Sequence, residues 1–125
     1  MEHSPGFLKL VEDARAGVRE LTIAQLRERL ARKEPVVLVD VREDHEWEKG
    51  RIPGARHLGR GVLERDIEKL YPDRGAELIL YCGGGFRSAL AAESIQKMGY
   101  RNVLSLAGGF RGWRESGAAV EGPGA

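Results

Sequence analysis

Val36-Val37-Leu38-Val39-Asp40-Val41 is a nearly unbroken run of β-branched and aliphatic residues. A strand with one wet face alternates apolar and polar side chains. A run apolar on both faces reads as a strand covered on both sides, and that points to a parallel sheet between layers of helices. Residues 55–58, 77–81 and 103–106 supply three further strand candidates. Segments of helical periodicity lie between them, and strands alternating with helices indicate an α/β fold.

The helical segments carry their own punctuation. Ser4-Pro5-Gly6 reads as a helix start with Ser4 as N-cap and Pro5 in the first turn. Phe7, Leu8, Val11 and Ala14 recur at helical spacing, and Gly17 closes the segment. Thr22 and Gln25 have the spacing of a capping box, with Leu21 and Leu26 as its hydrophobic staple. This second helix buries Leu26 and Leu30 and ends at Glu34-Pro35. Residues 43–49 read as a short polar helix carrying Trp47. Residues 61–70 read as a helix burying Val62, Leu63, Ile67 and Leu70. Residues 87–98 form another, with Leu90, Ala91, Ile95 and Met98 on one face. Gly108-Gly109 precedes a last short helix with Phe110 and Trp113. The Gly- and Ala-rich stretch 117–125 reads as a frayed end.

The chain has 125 residues, the length of one domain with a real core. The formal net charge is +1, which gives no overall case for nucleic-acid or membrane binding. No apolar run reaches membrane-spanning length and no signal-peptide pattern opens the chain, so the expected compartment is the cytoplasm. The one cysteine excludes an intrachain disulfide. His3, His45 and His57 lack paired spacing, so no metal site is expected.

That cysteine ends the apolar run Leu78-Ile79-Leu80-Tyr81 and is followed by Gly83-Gly84-Gly85-Phe86-Arg87-Ser88 at a helix start. In open α/β sheets, ligands bind outside the carboxyl ends of strands, and Cys82 falls at such an end. Three glycines let backbone N–H groups converge around the sulfur, and the helix start favours negative charge. A nucleophilic cysteine acts as the thiolate, which such a cradle suits. Arg87 can hold an incoming oxyanion or brace the loop, and Ser88 can donate a hydrogen bond or cap the helix. Phe86 reads as packing or pocket rim. Asp40 and Arg42, at the end of the first buried strand, read as a structural ion pair supporting the loop. Nothing in the sequence ties His57 to Cys82.

Three stretches in this order resemble the rhodanese family of sulfurtransferases. They are Leu38-Val39-Asp40-Val41-Arg42-Glu43 through Glu46-Trp47 to Gly50-Arg51-Ile52-Pro53-Gly54-Ala55, the Tyr81-to-Ser88 segment, and Leu106-Ala107-Gly108-Gly109-Phe110 with Trp113. The resemblance covers residues 21–121. It leaves residues 1–20 as an N-terminal helical extension and 122–125 as a flexible tail. It implies a rhodanese-like fold, with a central parallel sheet of about five strands and helices on both faces.

The resemblance also implies that Cys82 carries a persulfide and that the N–H groups of Gly83 to Ser88 line an anion pocket. Gly83 and Phe86 stand where the family often has polar or basic residues, which makes the pocket mouth less charged and more apolar. The expected activity moves sulfane sulfur from thiosulfate or a persulfide donor to a thiol, cyanide or a protein acceptor, with no cofactor. A sulfur-carrier or regulatory module acting on a partner protein is an alternative. Another is a phosphatase or arsenate reductase of the same fold, but those enzymes place five residues between cysteine and arginine. Here four separate Cys82 from Arg87.

Overall fold

The computed structural model describes residues 3–123. Five parallel strands form one sheet in the order β1-β5-β4-β2-β3: β1 (Arg19–Leu21), β2 (Leu38–Asp40), β3 (Arg56–His57), β4 (Leu78–Tyr81) and β5 (Val103–Leu106). Among the described residues six α-helices accompany it: α1 (Pro5–Arg15), α2 (Ile23–Ala31), α3 (Asp44–Lys49), α4 (Leu63–Leu70), α5 (Phe86–Gln96) and α6 (Gly109–Glu115). A 3-10 turn at Arg60–Val62 leads into α4.

Side chains alternate across a strand, so each central strand feeds two cores. Val39 and Val41, with Leu78, Leu80 and Cys82, pack against Leu63 and Ile67 of α4 and Ala91, Ala92 and Ile95 of α5. Leu38, Ile79 and Tyr81 face the other way, toward Leu26 of α2 and Phe110 and Trp113 of α6. The register of β4 therefore aims Cys82 at the α5 face. The first helix packs on α5 and buries Val11 and Ala14. The capping box at α2 forms with both bonds present, Gln25 N–H to Thr22 Oγ1 at 3.1 Å and Thr22 N–H to Gln25 Oε1 at 2.9 Å.

Several elements differ from the sequence reading. The edge strand β1 was not foreseen. Only Leu21 of its three residues is buried, so it carries no run and no alternation. Regular strand β2 is shorter than the run 36–41, though Ile79 N–H to Val37 O and Val41 N–H to Tyr81 O, both 2.9 Å, continue the ladder at each end. Leu8 is 42 % exposed and Leu70 37 %, so neither belongs to the core. On α5, Ala89 is buried where Leu90 is only half-buried, because small residues let this helix lie close to the sheet.

The stretch after α6 is anchored where fraying was expected. Trp113 Nε1–H donates to Ala119 O at 2.8 Å, and Arg51 and Glu121 exchange two backbone hydrogen bonds of 2.9 Å each. Of the expected tail 122–125, residues 124 and 125 lie outside the described residues, as do 1 and 2 of the expected N-terminal extension.

Asp40 and Arg42 form a buried ion pair at the end of β2. Arg42 Nη2 lies 2.7 Å from Asp40 Oδ2, its backbone N–H donates to Asp40 Oδ1 at 2.9 Å, and Nη2 also donates to Gly50 O at 2.7 Å. The guanidinium sits 4.4 Å from the centroid of the Phe110 ring. The pair thus joins β2, the turn at Gly50 and α6. Removing one partner of a buried pair strands the other charge at a cost of about 3–5 kcal/mol. Asp40→Ala is expected to lose that much stability in urea unfolding, and a loss below about 1 kcal/mol would show that the pair does not hold these elements together.

Candidate active site

The loop from Cys82 to Ser88 turns from the end of β4 into the first turn of α5. Cys82 is 1 % exposed. Its Sγ accepts the N–H of Gly85 at 3.1 Å and that of Ser88 at 3.3 Å. Ser88 Oγ lies 3.5 Å from the sulfur and 2.8 Å from Ser105 Oγ on β5, and both serines are fully buried. Two amides and a hydroxyl thus converge on one sulfur at a helix N-terminus, where partial positive charge accumulates. Gly85 has φ +94°, and a Cβ there would meet Gly108 N at 3.2 Å and Leu106 O at 3.3 Å, so the turn requires glycine.

The outer peptide groups are turned by α6. Phe110 N–H donates to Cys82 O at 2.7 Å, and Arg111 N–H donates to Gly83 O at 3.0 Å. In a trans peptide the N–H points opposite to its C=O. With no cis peptides among the described residues, the N–H groups of Gly83 and Gly84 therefore point away from α6. No described residue accepts from these two or from the N–H groups of Phe86 and Arg87. Gly109 makes the approach possible. Its φ is +55°, and a Cβ there would lie 2.5 Å from Cys82 O.

Arg87 is held in a two-pronged pair with Glu46 of α3. Nη1 lies 2.8 Å from Oε1, and Nη2 lies 3.0 Å from Oε2. The Arg87 hydrogen bonds hold the Glu46 carboxyl at about 2, against opposing burial, with help from the Glu43 backbone N–H and the charges of Arg87 and Arg42. Arg87 in turn is raised by Glu46. A cavity of about 680 Å³ opens above the sulfur and is bounded by Cys82, Gly83, Gly84, Phe86 and Arg87 of the loop. Glu46, Arg111, His3, Ser4 and Phe7 complete it.

Of the residues singled out from sequence, Cys82, Gly83, Gly84, Phe86 and Arg87 border the cavity. Gly85 and Ser88 lie beneath, bonded to the sulfur. Asp40 and Arg42 are not in its lining. His57 lies elsewhere, its Nε2 2.8 Å from Arg42 O and its ring stacked 5.0 Å from Trp47. Glu46, Ser105, Arg111, His3 and Phe7 were not recognised as site residues. Glu46 is 41 positions from its partner, and Ser105 is a lone hydroxyl in an apolar strand. Among the described residues no group of three His, Cys, Asp or Glu side chains could hold a metal ion, and no helix is long and apolar enough to cross a membrane.

A family model for the rhodanese-like domain matches residues 22–116. A sulfurtransferase of Allochromatium vinosum is 34 % identical over 106 residues, covering 85 % of this chain and 97 % of that protein. The thiosulfate sulfurtransferase GlpE of Coxiella burnetii is 33 % identical over 68 % of this chain and 78 % of its own length. The Bacillus subtilis protein named "Putative sulfur carrier protein YrkF" is 30 % identical over 78 % of this chain, which spans about half of it, 52 %.

Among solved structures, a Rhodopseudomonas palustris protein of unknown function, described as a "possible tyrosine phosphatase", superposes with a TM-score of 0.85. It is 32 % identical, with 97 % of this chain and 98 % of that one covered. The chain belongs to the rhodanese-like domain family.

The Glu46–Arg87 pair has a pH signature. The carboxyl ionises near 4.5 when unfolded and about 2 when folded, so its contribution is fully present above pH 4.5 and disappears as pH falls through about 2. The stability lost between those values is expected to be smaller in Glu46→Gln than in the parent. Equal losses in urea unfolding at pH 4.5 and pH 2.5 would show that the pair is open in solution.

Proposed function

We propose that this chain is a sulfurtransferase that carries sulfane sulfur as a persulfide on Cys82. The observation that carries the reading is the position of Sγ, held by the N–H groups of Gly85 and Ser88 at the floor of a cavity into which further loop amides are free to donate. The thiolate attacks the outer sulfur of thiosulfate or of a persulfide donor. The bond from that sulfur to the rest of the donor breaks, and its electron pair leaves with sulfite or a thiolate. The loop amides stabilise the anion that enters and the one that departs. A thiol, cyanide or a protein cysteine then takes the outer sulfur and restores the thiolate. Covalent transfer of this kind gives ping-pong kinetics, and the sulfur is its own carrier, so the cycle calls for no cofactor. The sulfurtransferase names of relatives at 33–34 % identity support the same chemistry.

The phosphatase description of the R. palustris neighbour is not favoured for this chain. Phosphate ester cleavage through a cysteine needs a general acid for the leaving oxygen. The one carboxyl bordering the cavity among the described residues is Glu46, and a carboxyl held at about 2 is ionised at neutral pH.

Cys82→Ser is nearly isosteric and is expected to keep the fold while abolishing thiocyanate formation from thiosulfate and cyanide. The parent protein is expected to leave aryl phosphate essentially untouched. Substantial thiocyanate from folded Cys82→Ser protein would exclude the mechanism, and aryl-phosphate turnover rivalling sulfur transfer would favour the phosphatase reading.

A further inference from the structure

The cavity above Cys82 is far larger than an inorganic anion fills. Its volume of about 680 Å³ lies within the range of roughly 300–1,000 Å³ typical of sites for organic ligands. One side is a wall of three rings that the loop does not build alone. His3 lies 4.6 Å from Phe86 and 5.2 Å from Phe7, centroid to centroid, and Phe7 lies 6.1 Å from Phe86. Phe7 comes from α1. Arg15 of the same helix sits 4.9 Å over the Phe86 ring and donates from Nη2 to Gly85 O at 3.4 Å, so α1 and the loop are tied together.

The cavity's charges are unequal in availability. Arg87 is taken by Glu46. The exposed guanidinium of Arg111 pairs with no described residue, while its backbone N–H on Gly83 O fixes its place beside the loop. An apolar wall and an unpaired cation that border one cavity, above a sulfur-binding floor, are complementary to a ligand with an apolar body and an anionic end.

We propose that His3, Phe7 and Phe86, together with Arg111, select an organic donor of sulfane sulfur with an aromatic or similarly apolar body and a distal carboxylate. The inference rests on the sulfur-transfer reading and names its substrate class. With a thiosulfonate, R–SO2–S⁻, the Cys82 thiolate attacks the terminal sulfur. The new S–S bond forms as the bond to the sulfonyl sulfur breaks, and the electron pair departs with the sulfinate, R–SO2⁻. Cyanide removes the outer sulfur as thiocyanate and returns the thiolate, so no outside oxidant or reductant enters. The donor's rings pack on the aromatic wall while Arg111 holds its carboxylate.

Initial rates of thiocyanate formation by the full chain would be compared for thiosulfate, benzenethiosulfonate and 4-carboxybenzenethiosulfonate. The expected order of kcat/KM is carboxylated donor, then plain aromatic donor, then thiosulfate. Phe7→Ala should lower the ratio of benzenethiosulfonate to thiosulfate by about tenfold, the scale of a lost apolar contact in a specificity pocket. Phe7→Leu provides the same comparison if the alanine variant does not fold. The exposed Arg111→Gln should instead lower the ratio of carboxylated to plain aromatic donor. An unchanged ratio in either folded variant overturns the proposal while sulfur transfer stands. Thiocyanate from none of the three donors overturns the sulfur-transfer reading and this inference with it.

Discussion

The site depends on where α6 begins. Its first amides take the carbonyls of Cys82 and Gly83, at 2.7 and 3.0 Å. Because each peptide is planar and trans, fixing two carbonyls on one side turns the N–H groups of Gly83 and Gly84 to the other. The same loop then brings the Gly85 and Ser88 N–H groups onto Sγ. Preorganised amides of this kind stabilise charge without rearranging during reaction. The close approach needs Gly109, whose missing Cβ leaves room for Cys82 O. A glycine outside the cysteine loop is thus as necessary to the cradle as the glycines within it.

The charges around that cradle divide into two buried or half-buried pairs with different jobs. Asp40 and Arg42 lie at the end of β2 and connect it to the Gly50 turn and the Phe110 ring. Glu46 and Arg87 join α3 to the first turn of α5 beside the cavity. Glu46 accounts for much of the cavity's character. It draws Arg87 into a fixed position, offsets its charge, and leaves Arg111 as the unpaired guanidinium among the described lining residues.

The sheet was readable in the sequence where the chain is buried on both faces. The apolar runs around Leu38, Leu78 and Val103 became β2, β4 and β5, whose residues are all buried. The edge strand β1 was unreadable, since one buried residue in three carries no period. The cysteine loop stood out because its glycines and helix start are contiguous in the chain. Glu46, Ser105, Phe7 and His3 meet the loop only through tertiary contacts, from α3, from β5 and from the N-terminal segment. No local pattern marks a carboxylate 41 residues from its arginine, and an aromatic at helical spacing reads as core until the fold shows which wall it forms. The stretch after α6 as far as Glu121 was misread for a related reason. Glycine and alanine suggest fraying, whereas the bonds that hold it come from Trp113 and Arg51.

The most direct test of the account is the mass of the intact protein after incubation with thiosulfate and removal of excess donor. The account predicts a gain of one sulfur atom, located on the peptide containing Cys82 and lost on treatment with cyanide or dithiothreitol. An unchanged mass, or added sulfur that survives in the Cys82→Ser variant, would contradict it.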